Sequence, residues 1–255
     1  MSLSVDSKRI GTCSWGGEIM LDIHNVSFGY EHRDKILQSV SLHVRQGKII
    51  GLIGPNGSGK TTLINLVCDV LDLRKGNIAV LGLRHTSAEA KISIMHVGGN
   101  DDVPSFLTGW EYVSTLARLY GVRVDQSEVR RLFTLFGMEG AQNRLIDSYS
   151  HGMKKKTQLC CAFLLRCPLT IVDETLNGID IDAWYLCVEQ FLRMRDKGLS
   201  VLICSHDFAL LEQITDEIVL LRNGRMGAPL PTRPLIDDYG GIAEWYRAKM
   251  LEPTS

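Results

Sequence analysis

The sequence predicts an α/β fold with a mostly parallel sheet, an N-terminal antiparallel β subdomain and an inserted α-helical subdomain. Alternation of apolar and polar residues over 21–28 and 40–44 is typical of half-buried antiparallel strands. The apolar runs 48–53 and 169–172 lack that alternation and are typical of strands covered on both faces of a sheet. From residue 169 onward, strand and helix patterns alternate, which favours parallel strand pairing.

The elements between and after these strands follow in chain order. Strand patterns at 77–80 and 92–97 precede a stretch with helical spacing only. That stretch holds predicted helices 109–120, 125–136 and 150–166, of which the first two are followed by Gly121 and Gly137. The remaining predicted elements are helix 181–197, strand 199–204, helix 208–213, strand 217–221 and a turn at Asn223-Gly224. The all-helical block, about 103–167, is therefore predicted to be an insertion.

Length and periodicity predict the domain organisation. The chain has 255 residues, which suits one large domain with an inserted subdomain. Residues 1–18 lack apolar periodicity and are expected to be a flexible extension. We expect the folded domain to span 19–227 and to be followed by a tail, 228–255, with one short helix near 242–246.

Composition excludes several function classes. Lys plus Arg is 28 and Asp plus Glu is 29, so the chain lacks the basic excess expected of a protein that binds nucleic acid. The seven cysteines show no paired CxxC spacing, and we interpret them as reduced, mostly buried thiols. The sequence contains no apolar run long enough to span a membrane and no signal peptide, so we expect the chain in the cytoplasm.

The strongest chemical signal is a glycine-rich loop between the buried strand 48–53 and a helix start. Its glycines allow consecutive backbone N–H groups to surround a phosphate, and the helix N-terminus adds positive potential. Lys60 is expected to bridge the outer phosphates, Thr61 to bind Mg²⁺ and Thr62 to contact the first phosphate. The predicted nucleotide-binding residues here are Gly54, Pro55, Asn56, Gly57, Ser58, Gly59, Lys60, Thr61 and Thr62.

A second signal is the apolar strand 169–172, which ends in two acids, Asp173 and Glu174. Alone, such a pair is more often a solvated turn. Beside a phosphate-binding loop, however, Asp173 is expected to hold Mg²⁺, and Glu174 to polarise the water that attacks the γ-phosphate. The chain therefore has the two parts that an ATP hydrolase requires.

Over about residues 20–227 the order of these elements resembles the nucleotide-binding subunit of ATP-binding cassette (ABC) transporters. The resemblance implies a P-loop NTPase (RecA-like) core, ATP and Mg²⁺ as ligands, and a homodimer or heterodimer of cassettes formed with ATP. Tyr30 is similar to the family's adenine-stacking aromatic residue. His206 matches the switch histidine that senses the γ-phosphate, which makes Glu174 and His206 the expected catalytic pair.

The resemblance also covers two segments that act across the dimer. Residues 149–153 resemble the signature motif, which completes the site of the opposite subunit, and the loop 175–180 resembles the one that places Asp180 at the dimer interface. The expected signature residues are Ser150, His151, Gly152 and Met153. From the residues alone, Ser150 is a plausible helix N-cap. Lys154, Lys155 and Lys156, which oppose the helix dipole, indicate either a nearby anion or a solvated face.

Some positions depart from the family pattern. Gly99 stands where the family has a Gln or Glu that reaches Mg²⁺ and the membrane-domain contact; Asn100, Asp101 and Asp102 are possible substitutes through water. In the signature, His151 adds bulk where the family has glycine, and Met153 lacks a polar tip. The Thr175-Leu176 pair replaces Pro-Thr, a change we interpret as structural.

The resemblance implies a separate membrane-spanning permease as partner, with the chain peripheral on the cytoplasmic face. Residues 107–111 and 117–121, together with 149–153, resemble exporter-type cassettes of the antibiotic and multidrug group. Three alternatives remain open at this point. They are an importer ATPase, a soluble cassette ATPase that acts on nucleic-acid machines, and a regulatory module that holds ATP without hydrolysing it.

Overall fold

The computed structural model describes residues 19–30, 35–99 and 103–252; the predicted extension 1–18 and the residues Asn100 to Asp102 lie outside these ranges. The strands are β1 (Ile19–Phe28), β2 (Leu37–Arg45), β3 (Ile49–Ile53), β4 (Lys75–Val80), β5 (Leu83–Arg84), β6 (Ile94–Val97), β7 (Leu169–Asp173), β8 (Ser200–Cys204), β9 (Glu217–Arg222), β10 (Arg225–Met226) and β11 (Leu230–Pro231). The helices are α1 (Lys60–Val67), α2 (Ala88–Ile92), α3 (Gly109–Leu119), α4 (Gln126–Leu135), α5 (His151–Leu165), α6 (Ile181–Asp196), α7 (Phe208–Ile214), α8 (Thr232–Tyr239) and α9 (Ile242–Leu251).

Two sheets confirm the predicted combination of parallel and antiparallel strands. The antiparallel sheet has the order β2-β1-β4-β5. The second sheet has the order β10-β9-β3-β8-β7-β6, and its strands β9, β3, β8, β7 and β6 run parallel to one another. Because the carboxyl ends of parallel strands lie at one edge, the loops that follow β3, β7 and β8 meet there.

The core lies in two layers, one on each face of the parallel sheet. In β3, Ile50 and Leu52 point to the layer shared with α1 and the antiparallel sheet, whereas Ile49 and Ile53 point to the layer shared with the helices α3 to α7. Both sets are almost fully buried. This two-sided burial explains why the strand reads as a continuous apolar run and not as an alternation.

The predicted helical block contains α3, α4 and α5, together with short 3-10 turns at Ala141–Asn143 and Ile146–Ser148. Capping boxes fix two of the helix starts, with Thr108 and Glu111 at α3 and Asp125 and Glu128 at α4. Gly121 and Gly137, predicted as helix ends, both have φ near +67°, a conformation that glycine adopts without a steric penalty.

The structure adds the short strands β5, β10 and β11, which the sequence analysis did not predict, and it differs from the expectations at β6 and in the tail. The predicted strand 92–97 begins only at Ile94, because the preceding residues form α2, whose first turn Ser87 caps. The tail holds two helices, α8 and α9, where we expected one. They pack on the core through Leu235, Ile242 and Trp245, all buried. No helix within the described ranges has the length and apolar character needed to cross a membrane.

Candidate functional site

The phosphate-binding loop connects β3 to α1 at the carboxyl edge of the parallel sheet. Gly57 and Gly59 have φ of +79° and +107°, so this backbone requires glycine. The Nζ atom of Lys60 lies 2.7 Å from the Gly54 carbonyl oxygen and 3.3 Å from that of Pro55, which folds the ammonium group over the loop. The loop thus concentrates positive charge and backbone N–H groups at one point.

The start of α1 differs from the starts of the helices α2 to α7. Each helix from α2 to α7 has a side chain that accepts a hydrogen bond from its first turn, whereas α1 has Gly59 as N-cap and no side-chain cap. The first N–H groups of α1 therefore lack a side-chain acceptor, which suits an anionic ligand. Thr61 is exposed and Thr62 is half-buried in this turn, and the hydroxyl of Ser58 is buried with no hydrogen-bond partner in the described structure.

Asp173 and Glu174 lie at the carboxyl end of β7, and the strand β8 lies between β7 and β3. Between these acids and the phosphate-binding loop lies Cys204 of β8, which pairs with Asp173 of β7 on one side and with Leu52 of β3 on the other. Burial raises the pKa of Cys204 well above its ordinary value; the negative charge of Asp173 raises it further, the ammonium of Lys60 lowers it, and Glu174 raises it. The predicted lysine and the predicted acids therefore come together at one edge of the sheet.

Glu174 contacts the predicted switch histidine directly. Its Oε1 atom lies 3.4 Å from Nε2 of His206, which follows β8 and is exposed. This Oε1 atom is buried and has no hydrogen-bond partner among the described residues, whereas Oε2 accepts a 2.6 Å hydrogen bond from Nδ2 of Asn177. One carboxylate oxygen thus accepts a hydrogen bond, and the other, Oε1, accepts none from the described residues.

The donor set at this edge suits a magnesium ion carried by a nucleotide. Within the described ranges, no group of three or more His, Cys, Asp or Glu residues could hold a metal by itself. The hydroxyl of Thr61 and the carboxylate of Asp173 are hard oxygen ligands of the kind Mg²⁺ prefers, and Mg²⁺ usually takes its other ligands from phosphate and water. The residues present fit an ion that arrives with its substrate.

Tyr30 lies at the end of β1, in the antiparallel sheet. Its side chain is 42% exposed and packs edge-on against Phe28, with ring centroids 5.1 Å apart. The backbone N–H of Ile36 donates to Phe28 O, and a side chain at Gly59 would contact Ile36 and Leu37. Tyr30 therefore lies near the segment that borders the phosphate-binding loop, and its side chain is partly exposed.

The residues that resemble the signature motif form the start of α5. Ser150 caps this helix, because its Oγ accepts from the Met153 N–H at 3.3 Å, which confirms the predicted N-cap. Ser150 and His151 are exposed, and Gly152 and Met153 are half-buried. A methyl group on Gly152 would lie 3.4 Å from the Gly178 carbonyl oxygen, so this turn contacts the loop that follows Glu174.

Lys155 and Lys156 do not form a solvated face. Lys155 is 5% exposed and Lys156 is 8% exposed. The ammonium of Lys156 donates to Asp180 Oδ2 at 2.7 Å and to Phe136 O at 2.8 Å. Asp180, which also caps α6, is therefore the anion beside Lys156, and the Lys156 hydrogen bond is the main reason that the pKa of Asp180 lies below its ordinary value.

Gly99 lies against the strand that carries the acids. A Cβ atom there would be 2.8 Å from the Asp173 carbonyl oxygen and 3.4 Å from Glu174 Cβ. A glutamine at this position would need the backbone to shift. Thr175, interpreted above as a structural replacement, is buried, and its hydroxyl lies 2.9 Å from the carbonyl oxygens of both Val97 and Gly98. It ties the end of β6 to the loop after β7.

Sequence reasoning missed several residues that shape this site. Asn177 bonds to Glu174, Lys155 donates to the Asn177 carbonyl oxygen at 2.6 Å, and Asp207 accepts from the Trp184 indole N–H at 2.9 Å. The contact between Asn177 and Glu174 spans only three residues, so an amide side chain three residues after this carboxylate could have predicted it from the sequence. The other two contacts join distant segments, and no local pattern reveals them.

Comparisons with known proteins point to one family. A family model described as "ABC transporter" matches residues 37–177. The chain is 30% identical over 219 residues to AlbC of Bacillus subtilis (strain 168), named as an ABC transporter ATP-binding protein; the match covers 83% of this chain and 92% of AlbC. It is also 30% identical to the ABC-type transporter ATP-binding protein EcsA of the same organism, covering 87% of this chain and 91% of EcsA.

Solved structures agree. A structure described as the ATP-binding subunit of an ABC transporter superimposes with a TM-score of 0.82 at 28% identity, covering 91% of this chain and 99% of that one. CbiO1 of Clostridium perfringens has a TM-score of 0.71 at 18% identity and covers 92% and 95% of the two chains, so it shows a common fold.

Proposed function

The chain belongs to the ATP-binding, ATP-hydrolysing subunits of the ABC transporter family, and from that premise we propose that it powers a separate membrane permease. One observation carries the catalytic part of the proposal: β8 lies between β3, which leads into the phosphate-binding loop with Lys60, and β7, which ends in Asp173, and Glu174 lies 3.4 Å from His206. On this geometry we assign Lys60 to phosphate binding, Asp173 to the metal ion, and Glu174 and His206 to hydrolysis.

In the proposed reaction, the phosphate-binding loop and Lys60 hold the phosphates of ATP. Oε1 of Glu174 accepts a proton from a water molecule while that water's oxygen bonds to the γ-phosphorus. The bond from the γ-phosphorus to the bridging oxygen breaks, and ADP leaves with that electron pair. In this proposal His206, whose Nε2 lies 3.4 Å from Oε1 of Glu174, would contact the γ-phosphate and orient it.

Thr61 and Asp173 would hold Mg²⁺ together with the oxygens of ATP. The ion, when bound, neutralises the charge that develops on the phosphates. Tyr30 would stack on the adenine ring, using the exposed face of its own ring.

The signature residues supply the reason to propose a dimer. Ser150 to Met153 form a helix start whose first residues are exposed, and such a start attracts an anion. We propose that Ser150 and Gly152 of one subunit approach the γ-phosphate held by Lys60 of another, and that Asp180 lies near the interface between them.

An exposed apolar patch supports the permease as partner. Phe106 is 77% exposed and Leu145 is 51% exposed. The segments that carry them run side by side, because Ile146 N–H donates to Leu107 O at 2.8 Å and Thr108 pairs with Leu145. Exposed apolar patches of this kind mark protein contacts. CbiO1 is described as part of an ABC transporter complex, which makes a comparable assembly reasonable here.

The proposed direction of transport is export. It rests on the resemblance of residues 107–111 and 117–121 to exporter-type cassettes. In such an assembly the chain would be peripheral, on the cytoplasmic face, held there by the permease.

The dimer is tested by size-exclusion chromatography with light scattering, with and without Mg-ATP. Glu174→Gln should accumulate unhydrolysed ATP and run as a dimer with ATP, whereas Lys60→Ala should stay monomeric. A Glu174→Gln variant that binds ATP and remains a monomer would contradict a shared site formed by this chain alone.

The partner is tested by co-purification from detergent-solubilised membranes of the source cell, with mass spectrometry. A protein with several membrane spans should accompany the wild-type chain in a stoichiometric ratio and be lost with Phe106→Glu, whose ATP affinity should be unchanged. Retention of no membrane protein, or equal retention by both chains, would contradict the proposed docking surface.

A further inference from the structure

In the loop that follows β7, Asn177 folds back and forms hydrogen bonds with Glu174. The backbone N–H of Asn177 donates to the Glu174 carbonyl oxygen at 3.3 Å, and its side-chain Nδ2 donates to Glu174 Oε2 at 2.6 Å. A carboxylate accepts hydrogen bonds only, so the amide must present its NH₂ group here. Main chain and side chain of Asn177 therefore both contact Glu174.

The backbone of Glu174 is itself tightly fixed. Its φ is +56°, a left-handed conformation that is unfavourable for a residue with a side chain. Its N–H donates to Cys204 O at 3.0 Å, and the next residue, Thr175, bonds through its hydroxyl to the end of β6. With the backbone held in this way, the direction of the carboxylate depends on side-chain rotation, which the Asn177 amide restricts.

The hydrogen bond from Asn177 also determines which oxygen of the Glu174 carboxylate has no donor. Oε2 is occupied by Asn177, whereas the buried Oε1 has no hydrogen-bond partner among the described residues and lies 3.4 Å from His206 Nε2. A general base must direct a free lone pair at the proton it accepts. The amide of Asn177 thus holds the carboxylate with Oε1 toward the histidine.

Asn177 is held in turn by the helix that starts at Ser150. The ammonium of Lys155, on the second turn of α5, donates to the Asn177 carbonyl oxygen at 2.6 Å and is 5% exposed. Gly152, one turn earlier on this helix, lies against Gly178. The start of α5 and the loop 177–180 therefore form one packed unit.

We propose that Asn177 is a positioning residue for Glu174 and that Lys155 fixes Asn177, so that α5 sets the orientation of the chain's own catalytic acid. The inference rests on the proposed role of Glu174 as general base. In this proposal α5, which starts with the signature residues, contacts the γ-phosphate of the opposite subunit and also orients Glu174 within its own subunit.

The competing explanation is that Asn177 and Lys155 only stabilise the loop. In that case their loss would lower the free energy of unfolding, and would lower turnover by the same factor whether or not residue 174 is a carboxylate. A double-mutant cycle on turnover distinguishes the two explanations, since residues that act through one group are not additive.

Steady-state and single-turnover hydrolysis are measured in the full chain for Asn177→Ala, Glu174→Gln and the double variant, beside ATP affinity and thermal unfolding. Asn177→Ala should lower turnover about three- to tenfold, the effect of one charged but solvent-accessible hydrogen bond, with ATP affinity changed less than about twofold. In the Glu174→Gln background the same change should lower turnover by less than about twofold. Asn177→Asp, which keeps the size but removes the donor, should be at least as slow as Asn177→Ala.

Lys155→Met tests the second step, because it keeps the aliphatic side chain and removes the ammonium. Its effect, about two- to fivefold on turnover, should disappear in the Asn177→Ala background. Lys156→Met is the matched control. It removes a similarly buried ammonium one residue along, whose partner in the loop is Asp180, and its effect on turnover should add to that of Asn177→Ala.

Three results would overturn the proposal: wild-type turnover in Asn177→Ala, an equal loss in the Glu174→Gln background, or additivity of Lys155→Met with Asn177→Ala. Failure of the proposed function is distinct from these, since it appears as wild-type turnover in Glu174→Gln alone.

Discussion

The phosphate-binding loop and the loop after β7 face the same edge of the parallel sheet, but they hold their geometry by different means. The first loop depends on backbone conformation, with glycines at φ of +79° and +107° and no side-chain cap on α1. The second depends on side chains: Asn177 holds Glu174, Lys155 holds Asn177, and Thr175 ties the loop to β6. In the proposed site, binding would therefore depend mainly on backbone conformation, and hydrolysis on side-chain contacts.

The difference explains how much of the site could be predicted. A glycine-dependent loop has a local sequence pattern, so Gly54 to Thr62 could be identified from the sequence alone. The contact between Lys155 and Asn177 joins residues 22 positions apart through the packing of α5 on the loop, and no local pattern indicates it.

In the fold, too, elements with a local sequence pattern were predicted, and elements that depend on distant contacts were not. Strands buried on both faces and helices with capping residues, such as those at Thr108 and Asp125, were predicted close to their observed limits. The helix α8 was missed because it has only eight residues and carries Pro234 in its first turn; tertiary contacts, including the buried hydrogen bond between the Thr215 and Thr232 hydroxyls, stabilise it.

The largest effect on ATP affinity is expected for Lys60→Ala, which removes the ammonium group that donates to the Gly54 and Pro55 carbonyl oxygens of the phosphate-binding loop. ATP affinity should fall about 100-fold or more, because a charged donor to the phosphates is lost. Isothermal titration calorimetry measures this directly. The unfolding midpoint without nucleotide serves as the control, and an affinity within about threefold of wild type would contradict the assigned role.

A smaller effect is expected for Gly59→Ala, which tests whether the first loop depends on its backbone. The φ of +107° is unfavourable for alanine, and the new Cβ would lie 2.7 Å from Leu37 Cδ2. The free energy of unfolding should fall by about 2–4 kcal/mol. Chemical denaturation provides the measurement.

Gly57→Ala is the matched control for that variant. Its φ of +79° is also unfavourable for alanine, but no atom lies within 4 Å of the added Cβ. It should therefore lose only about 1 kcal/mol. Equal losses for the two variants would show that steric contact with Leu37 contributes nothing.

Thr175→Val tests whether the second loop depends on side chains. The variant keeps the shape of the residue and leaves the carbonyl oxygens of Val97 and Gly98 without their hydroxyl donor. The free energy of unfolding should fall by about 1–3 kcal/mol, and turnover should fall more than ATP affinity. Thr134→Val, at an exposed position on α4, is the control and should stay within about 0.5 kcal/mol of wild type. A Thr175→Val chain as stable and as active as wild type would contradict this account of the loop.

The central claim is that binding and chemistry reside in separate loops, and Glu174→Gln tests it most directly. ATP affinity and turnover are measured on the same preparation. Because a general base contributes to the transition state and little to ground-state binding, we predict an affinity within about threefold of wild type and a turnover lower by about 10²–10⁴-fold. Retained turnover, or a parallel loss of affinity and turnover, would contradict the claim.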